Sequence, residues 1–532
     1  MAASTGKTAF IAGGLVLLLV SFLAGYGWRT FFGPAPVPAN APASPSPGPA
    51  AELQRGETLA RTYCVACHVF PEPHLLTKTE WRHYIMPQVA LRMGVEPANY
   101  ESIPEGKIIQ AASLYPVSPM ISQADWLAIW DWIQSAAPST PPPPPPKPKL
   151  EVNLDQFRVR KINFTTGMPM ISLVKMNAAR QRLYVGDIFA GILATLDPAG
   201  KVLSTTRLSS APVSLSVKES GLLATCIGRY FPSDALEGSV VFVPLDASAP
   251  PRTLLSQLRR PTDARLADLN QDGREDLVVC SFGNRLGEFA YYENKGGGRF
   301  EATVLLDQPG ATRSELFDFN KDGRLDIMVL TGQAREGVSL FYNQGGGEFT
   351  VETVLEHPPS FGLVDFQLAD FNQDGSMDLI VANGDNGDNP TPHKPYHGIR
   401  IYLNDGRNHF REAFFYPMEG AYKAMAADFD QDGDLDLAAI AFFPDFASEP
   451  MESFVYLENQ GNLRFAPRTF AEARAGRWMV MDTGDLDGDG DVDIALGSMA
   501  VGPTTIPVPE TVREYWQTNG AAVVILENLK RR

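Results

Sequence analysis

The rhythm of hydrophobic and polar positions changes along this 532-residue chain, and the changes divide it. Residues 8–26 carry no charge and consist mainly of Leu, Val, Ala, Ile and Phe. A helix of that length spans about 28 Å, close to the hydrocarbon thickness of a bilayer. The run is longer than the core of a cleaved signal peptide, and the small-residue site Ala39-Asn40-Ala41 stands well beyond it and is followed by Pro42, so an uncleaved anchor is expected. Three short stretches, 52–61, 81–93 and 123–135, read as helices. Farther along, short apolar runs such as 277–281, 327–331 and 379–382 predict strands. Proline-rich stretches at 34–51 and 141–146 favour extended backbone and act as semi-rigid spacers. The predicted fold class is multidomain, with an N-terminal transmembrane helix (1–30), a linker (31–50), a small all-α domain (51–138), a second linker (139–150) and an all-β domain (151–532).

The strand region is periodic. Asp268-Leu-Asn270-Gln-Asp272-Gly273-Arg-Glu-Asp276 recurs at 318–326, 370–378, 428–436 and 485–493. Each copy places oxygen-bearing side chains at positions one, three, five and nine and a glycine at six, the arrangement that wraps a hard cation with oxygen ligands. The expected ligands are Asp268, Asn270, Asp272 and Asp276, then Asp318, Asn320, Asp322 and Asp326, and then Asp370, Asn372, Asp374 and Asp378. Asp428, Asp430, Asp432 and Asp436 follow, and Asp485, Asp487, Asp489 and Asp493 complete the set. About five calcium ions are the expected cofactors. An EF-hand would need flanking helices and a Glu at position twelve, whereas strand-like runs follow here. Each loop is followed by a second shared pattern, as in Ala290-Tyr-Tyr-Glu-Asn294, Leu340-Phe-Tyr-Asn343, Ile401-Tyr-Leu-Asn404 and Val455-Tyr-Leu-Glu-Asn459, and then by a further strand. One repeat is therefore four strands, a propeller blade.

These motifs resemble the FG-GAP and VCBS repeats, the calcium-binding blades also seen in integrin heads, over residues 263–528. Two blades without the acidic loop fit before them, near 169–208 and 212–258, which makes seven. The chain ends before the last blade has an outer strand, and residues 156–163, opening with Phe157 as Phe300 opens its own strand, match the missing element.

Cys64-Val-Ala-Cys67-His68 carries the redox chemistry. The spacing C-x-x-C-H attaches a haem through two thioethers while the histidine ligates its iron. No second Cys pair lies nearby to complete a zinc site. Residues 51–138 resemble the class I c-type cytochromes, so the resemblance implies one covalent haem c and a methionine as sixth ligand from the loop before the last helix. Met120 has that address; Met93, Met86 and His83 are alternatives. Haem attachment outside the cytoplasm would place the protein on the inner membrane, facing the periplasm, in a bacterium.

The formal net charge of −17 looks strongly acidic, yet the four loop positions hold seventeen carboxylates; five calcium ions would bring +10, leaving −7. Nucleic acid is excluded as an expected partner by the lack of a basic patch. Cys226 and Cys280 are either a disulfide or two free thiols. Loops at 229–234, 383–400, 443–451 and 503–515 open opposite the acidic hairpins, and His393 and His397 in one of them either bind a transition metal or belong to a hydrogen-bonded loop.

Three functions compete. The first is an electron carrier, linking a redox partner protein or membrane complex, with the propeller as docking platform. The second is a haem-containing dehydrogenase with substrate or cofactor on the propeller, although no catalytic residue stands out. The third is a calcium-dependent adhesion or assembly protein.

Overall fold

The computed structural model describes residues 48–162, 168–245, 249–385, 393–501 and 508–529. Helices come first: Pro49–Tyr63, a single turn at Cys64–Ala66, a run from Lys78 to Arg92, then Gly106–Ala111 and Gln123–Ala136. Local chemistry sets their starts. Thr77 caps the second run in a capping box, its N–H donating to Glu80 Oε2 at 2.8 Å, and Ser122 Oγ accepts from the Asp125 N–H at 3.1 Å. Within the second run the turn widens at Trp81–Ile85, where the Met86 N–H bonds the Trp81 carbonyl and Pro87 has no N–H to continue the regular ladder. Trp81, Met86, Met93, Trp126, Ile129 and Trp132 close over one another as the apolar core of this segment.

Seven blades of four antiparallel strands follow and form a ring, the sheet of the sixth extended by a fifth, parallel strand. Blades 1 to 6 begin at Ile171, Pro212, Pro261, Ala311, Leu363 and Ala421, and blade 7 at Trp478. In each, the first strand lines the axis, and in blades 2 to 7 the second is buried along its whole length, as in Asp276–Ser281 and Asp326–Thr331, because it is covered on both faces by neighbouring blades. That double burial explains why these strands read as apolar runs rather than alternating ones. The ring closes through the chain's earlier residues. Phe157–Ile162 pairs antiparallel with Val523–Asn528, in register from Phe157↔Asn528 to Ile162↔Val523, and so supplies the outer strand of blade 7. Phe157 is buried edge-on against Phe429 and Tyr456, with ring centroids 6.2 and 6.0 Å away.

The expected fold class needs correction in two of its three parts. Among the described residues no helix is long and apolar enough to cross a membrane, and the expected span at 8–26 lies outside them. There is also no separate small all-α cytochrome domain: residues 53–532 form one compact unit dominated by β-structure. The physical reason is a set of buried polar anchors that hold the helical segment on the propeller. Lys394 of blade 5 and Glu80 form an ion pair with both side chains 2 % exposed, and the Tyr396 hydroxyl donates to the Leu75 carbonyl at 3.2 Å. The proline stretch is likewise no free spacer, since Lys147 pairs with the buried Glu452 and Glu151–Val152 adds a parallel strand to blade 6. The seven-bladed propeller stands.

Candidate functional site

Each acidic loop is the hairpin between the first and second strands of blades 3 to 7. Gly at position six takes a left-handed backbone, with φ of +86° at Gly273 and Gly323, and the first carboxylate turns the chain by accepting two backbone amides. Asp268 Oδ1 accepts from the Asp272 N–H at 3.1 Å and Oδ2 from the Gly273 N–H at 2.9 Å. Position nine does something different. Asp276, Asp326, Asp378, Asp436 and Asp493 are at most 1 % exposed. Their Oδ1 atoms accept from the backbone N–H of Asn294, Asn343, Asn404, Asn459 and Asn528, at 2.7 to 2.9 Å. Those asparagines end the third strands, except that in blade 4 the strand runs two residues past Asn343. Their amides reach back to the carbonyl just before position nine, as from Asn343 to Leu325 at 3.0 Å. The Asn that closes the second shared pattern is thus the latch of the hairpin, a role its sequence position did not reveal. Burial pushes the Asp436 carboxyl up to about 7 and that of Asp493 to about 6, against the backbone amides that hold them ionised.

Positions one, three and five remain to face a cation. In blade 6 the carboxylates of Asp428, Asp430 and Asp432, and in blade 7 those of Asp485, Asp487 and Asp489, offer oxygens within 4.8 Å of one another. Like charges at that distance repel, and a divalent ion with oxygen preference relieves the repulsion. Blades 3, 4 and 5 carry Asn at position three, with Asn270, Asn320 and Asn372 each donating to the position-five Asp.

On the opposite face, the Cys64–Ala66 turn carries the C-x-x-C-H motif. Cys64 opens this 3₁₀ turn and Cys67 follows its end, so the two cysteines stand about one 3₁₀ repeat apart. Cys64 is half-buried against the apolar core, which pushes its thiol up to about 11, whereas Cys67 is exposed. His68 Nδ1 lies 2.8 Å from the Val69 carbonyl. A carbonyl only accepts, so Nδ1 carries the proton and Nε2 the lone pair, the tautomer a metal-ligating histidine needs. The donor set fits a thioether-linked haem. Met86 and Met93 are buried in the helical core, Met120 is 59 % exposed with its N–H on the Met93 carbonyl at 2.9 Å, and His83 is exposed.

The propeller grips this loop. Arg335, between the second and third strands of blade 4, donates from Nε to the Cys67 carbonyl at 2.6 Å and from Nη2 to the Ala66 carbonyl at 3.2 Å. Across the ring, Glu105 accepts from the Ser233 hydroxyl at 2.6 Å and from the Asp234 N–H in blade 2. Beneath lies a cavity of about 1220 Å³ along the propeller axis. Several of its charges pair with one another: Lys175 with Asp482 at 3.0 Å, Arg265 with Asp263 and Glu315 at 3.1 and 3.0 Å, Arg313 with Glu315 and Asp365 at 2.7 and 3.2 Å. Glu105, Arg335 and the cavity charges escaped sequence reasoning because single charged residues in loops and strands carry no pattern. Burial pushes the imidazole pKa of His393 and of His397 down, and residues 386–392 of the same loop lie outside the described residues. Cys226 and Cys280 are buried free thiols in different core clusters, Cys226 beside Ser209, Ser210 and Ser239 and Cys280 beside Ser314 and Asp263, which removes the disulfide alternative.

With this geometry in place, the family profile of the FG-GAP-like repeat matches residues 268–329 and 318–381. The chain carries FG-GAP-like repeats. No curated protein matches it. Among solved structures, U3-55K is similar at 10 % identity and a TM-score of 0.43, covering 69 % of this chain and 98 % of that one. The N-terminal domain of Nup159 is similar at 9 % identity and 0.38, covering 66 % and 95 %. A candidate 6-phosphogluconolactonase from Bacteroides fragilis gives 12 % identity and 0.38, covering 58 % and 92 %.

Proposed function

We propose that this protein is an electron carrier in which a haem held by Cys64, Cys67 and His68 is presented by a calcium-stabilised FG-GAP propeller. The observation that carries the proposal is the His68 Nδ1 contact with the Val69 carbonyl at 2.8 Å, which leaves Nε2 as the free ring nitrogen next to two cysteines three residues apart. One-electron oxidation and reduction is the chemistry such a group supplies when bound. The chain's own residues orient and expose it. Arg335 fixes the attachment loop from below, while Val65 is 51 % exposed and Cys67 lies at the surface, which suits approach by a redox partner protein. Calcium at positions one, three and five of the five hairpins would rigidify the blades on the far face. Thioether attachment implies a compartment outside the cytoplasm.

The test is covalent haem on the full chain. Expression with a cytochrome c maturation system followed by a haem stain on a denaturing gel should give one haem per chain, lost in Cys64→Ala/Cys67→Ala. A wild-type chain matured under those conditions without covalent haem overturns the electron-carrier reading. The repeated acidic hairpins then favour the second reading, a calcium-dependent assembly protein, whose propeller would bind a partner protein only with calcium present.

A further inference from the structure

The five acidic hairpins share positions one, five, six and nine but differ at position seven, which is Arg274, Arg324, Ser376, Asp434 and Asp491 in blades 3 to 7. In blades 3 and 4 the guanidinium reaches back into the loop. Arg274 donates to the Asp272 carboxylate and, from Nε, to the Asn294 carbonyl at 2.7 Å. Arg324 repeats the arrangement on Asp322 and the Asn343 carbonyl, also at 2.7 Å. A position-five ligand in those loops already has a resident cation.

Blade 7 is the opposite case. Asp491 is only 2 % exposed, and neither of its carboxylate oxygens has a hydrogen-bond partner. Its charged neighbours are Asp489, Asp493 and Asp487, all acidic. A buried ionised carboxylate among carboxylates, with no donor facing it, is strongly unfavourable in a folded protein unless it takes up a proton or a cation completes it. Asp434 in blade 6 has one such oxygen, Oδ1, but is less buried. Counting positions one, three, five and seven, blades 6 and 7 each carry four carboxylates, whereas blades 3 and 4 each carry two and an arginine. Calcium affinity of oxygen-ligand loops is tuned by ligand charge.

We propose that the hairpins are a graded series, with the blade 7 loop the tightest calcium site because the buried Asp491 carboxylate adds a fourth negative charge beside the oxygens of Asp485, Asp487 and Asp489. The loops of blades 3 and 4 are the weakest, because Arg274 and Arg324 compete with the ion for Asp272 and Asp322. This rests on the calcium reading above and adds an order to it.

Hydrogen exchange of the full wild-type chain, followed by mass spectrometry across a calcium titration, tests the order without any substitution. The peptide covering 485–493 should gain protection at a calcium concentration at least about tenfold lower than the peptides covering 268–276 and 318–326. Protection of all loops at one concentration, or in the reverse order, overturns the graded series while leaving calcium binding intact. No protection anywhere up to millimolar calcium overturns both. A second measurement, isothermal titration of Asp491→Asn and of Arg274→Ser, should show the tightest class weakened about tenfold in the first and a weak site strengthened in the second. An unchanged tightest class in folded Asp491→Asn rules out Asp491 as the source of that tightness.

Discussion

The helical segment and the propeller are held in opposite ways. The helices form from local signals, the Thr77 and Ser122 caps and a compact cluster of tryptophans and methionines, and then attach to the propeller through a few polar anchors. The propeller has almost no such local autonomy. Each blade buries its second strand against the next blade, and the ring is complete only when Phe157–Ile162 joins a strand more than 360 residues later. Local order can be removed piece by piece, whereas a closed ring stands or falls as a whole.

The largest expected effect breaks the ring at its seam. Phe157→Ala removes an aromatic side chain buried against Phe429 and Tyr456 and should cost about 3–5 kcal/mol of propeller stability, read by calorimetry. Trp126→Ala in the helical core should lose a similar local amount yet leave the propeller transition in place. If both variants lower one shared transition equally, the two regions unfold as a single unit and the contrast fails.

Next is the anchor between the two. Lys394→Ala leaves the Glu80 carboxylate buried opposite no ammonium, an expected loss of about 3 kcal/mol confined to docking of the helices. Hydrogen exchange should rise across residues 77–93 and stay unchanged in blades 1 to 4. A rise spread evenly over the propeller would make the ion pair part of the ring rather than a fastening on it.

Calcium removal comes third, because it acts on the hairpins and not on the strand pairing. At a free calcium concentration a hundredfold above a site's dissociation constant, each such site contributes about 2.7 kcal/mol, so chelation should lower the melting temperature and leave the exchange of residues 77–93 unaltered. An unchanged melting temperature would remove calcium from the account of the ring's stability.

The smallest effect concerns pH at the linker. Burial, with Glu452 and Asp445 nearby, pushes the Glu419 carboxyl from its ordinary 4.5 up to about 7, partly opposed by Lys147. A raised folded pKa means the folded protein holds the proton more tightly. This contribution is therefore complete below pH 4.5 and is lost as pH rises through 7. Denaturant unfolding of Glu419→Gln should show less loss of stability than wild type between those limits; identical slopes would mean that Glu419 is neutralised by other means.

The repeat region was the most legible part, and the reason is redundancy. Five copies of the acidic hairpin and four of the Tyr-bearing third strand state the four-stranded unit repeatedly, and the position of Phe157 relative to Phe300 indicated the closing strand. The helices too were readable, since caps and helical spacing are local. What failed was the inference from composition to independence. A proline run suggested a spacer and a helical stretch suggested a free-standing domain, but Lys147, Glu80 and Glu105 each have partners far away in sequence.

The sequence by itself determined the blade and its count, because those depend on residue type at short, fixed spacing. Only the tertiary structure decided that the helices lie on the propeller, that the third-strand asparagines latch the position-nine carboxylates, and that Asp491 is buried without a partner while Arg274 and Arg324 already occupy their loops. Such facts are set by contacts and by solvent exclusion, which arise when distant segments meet and leave no periodic trace in the chain.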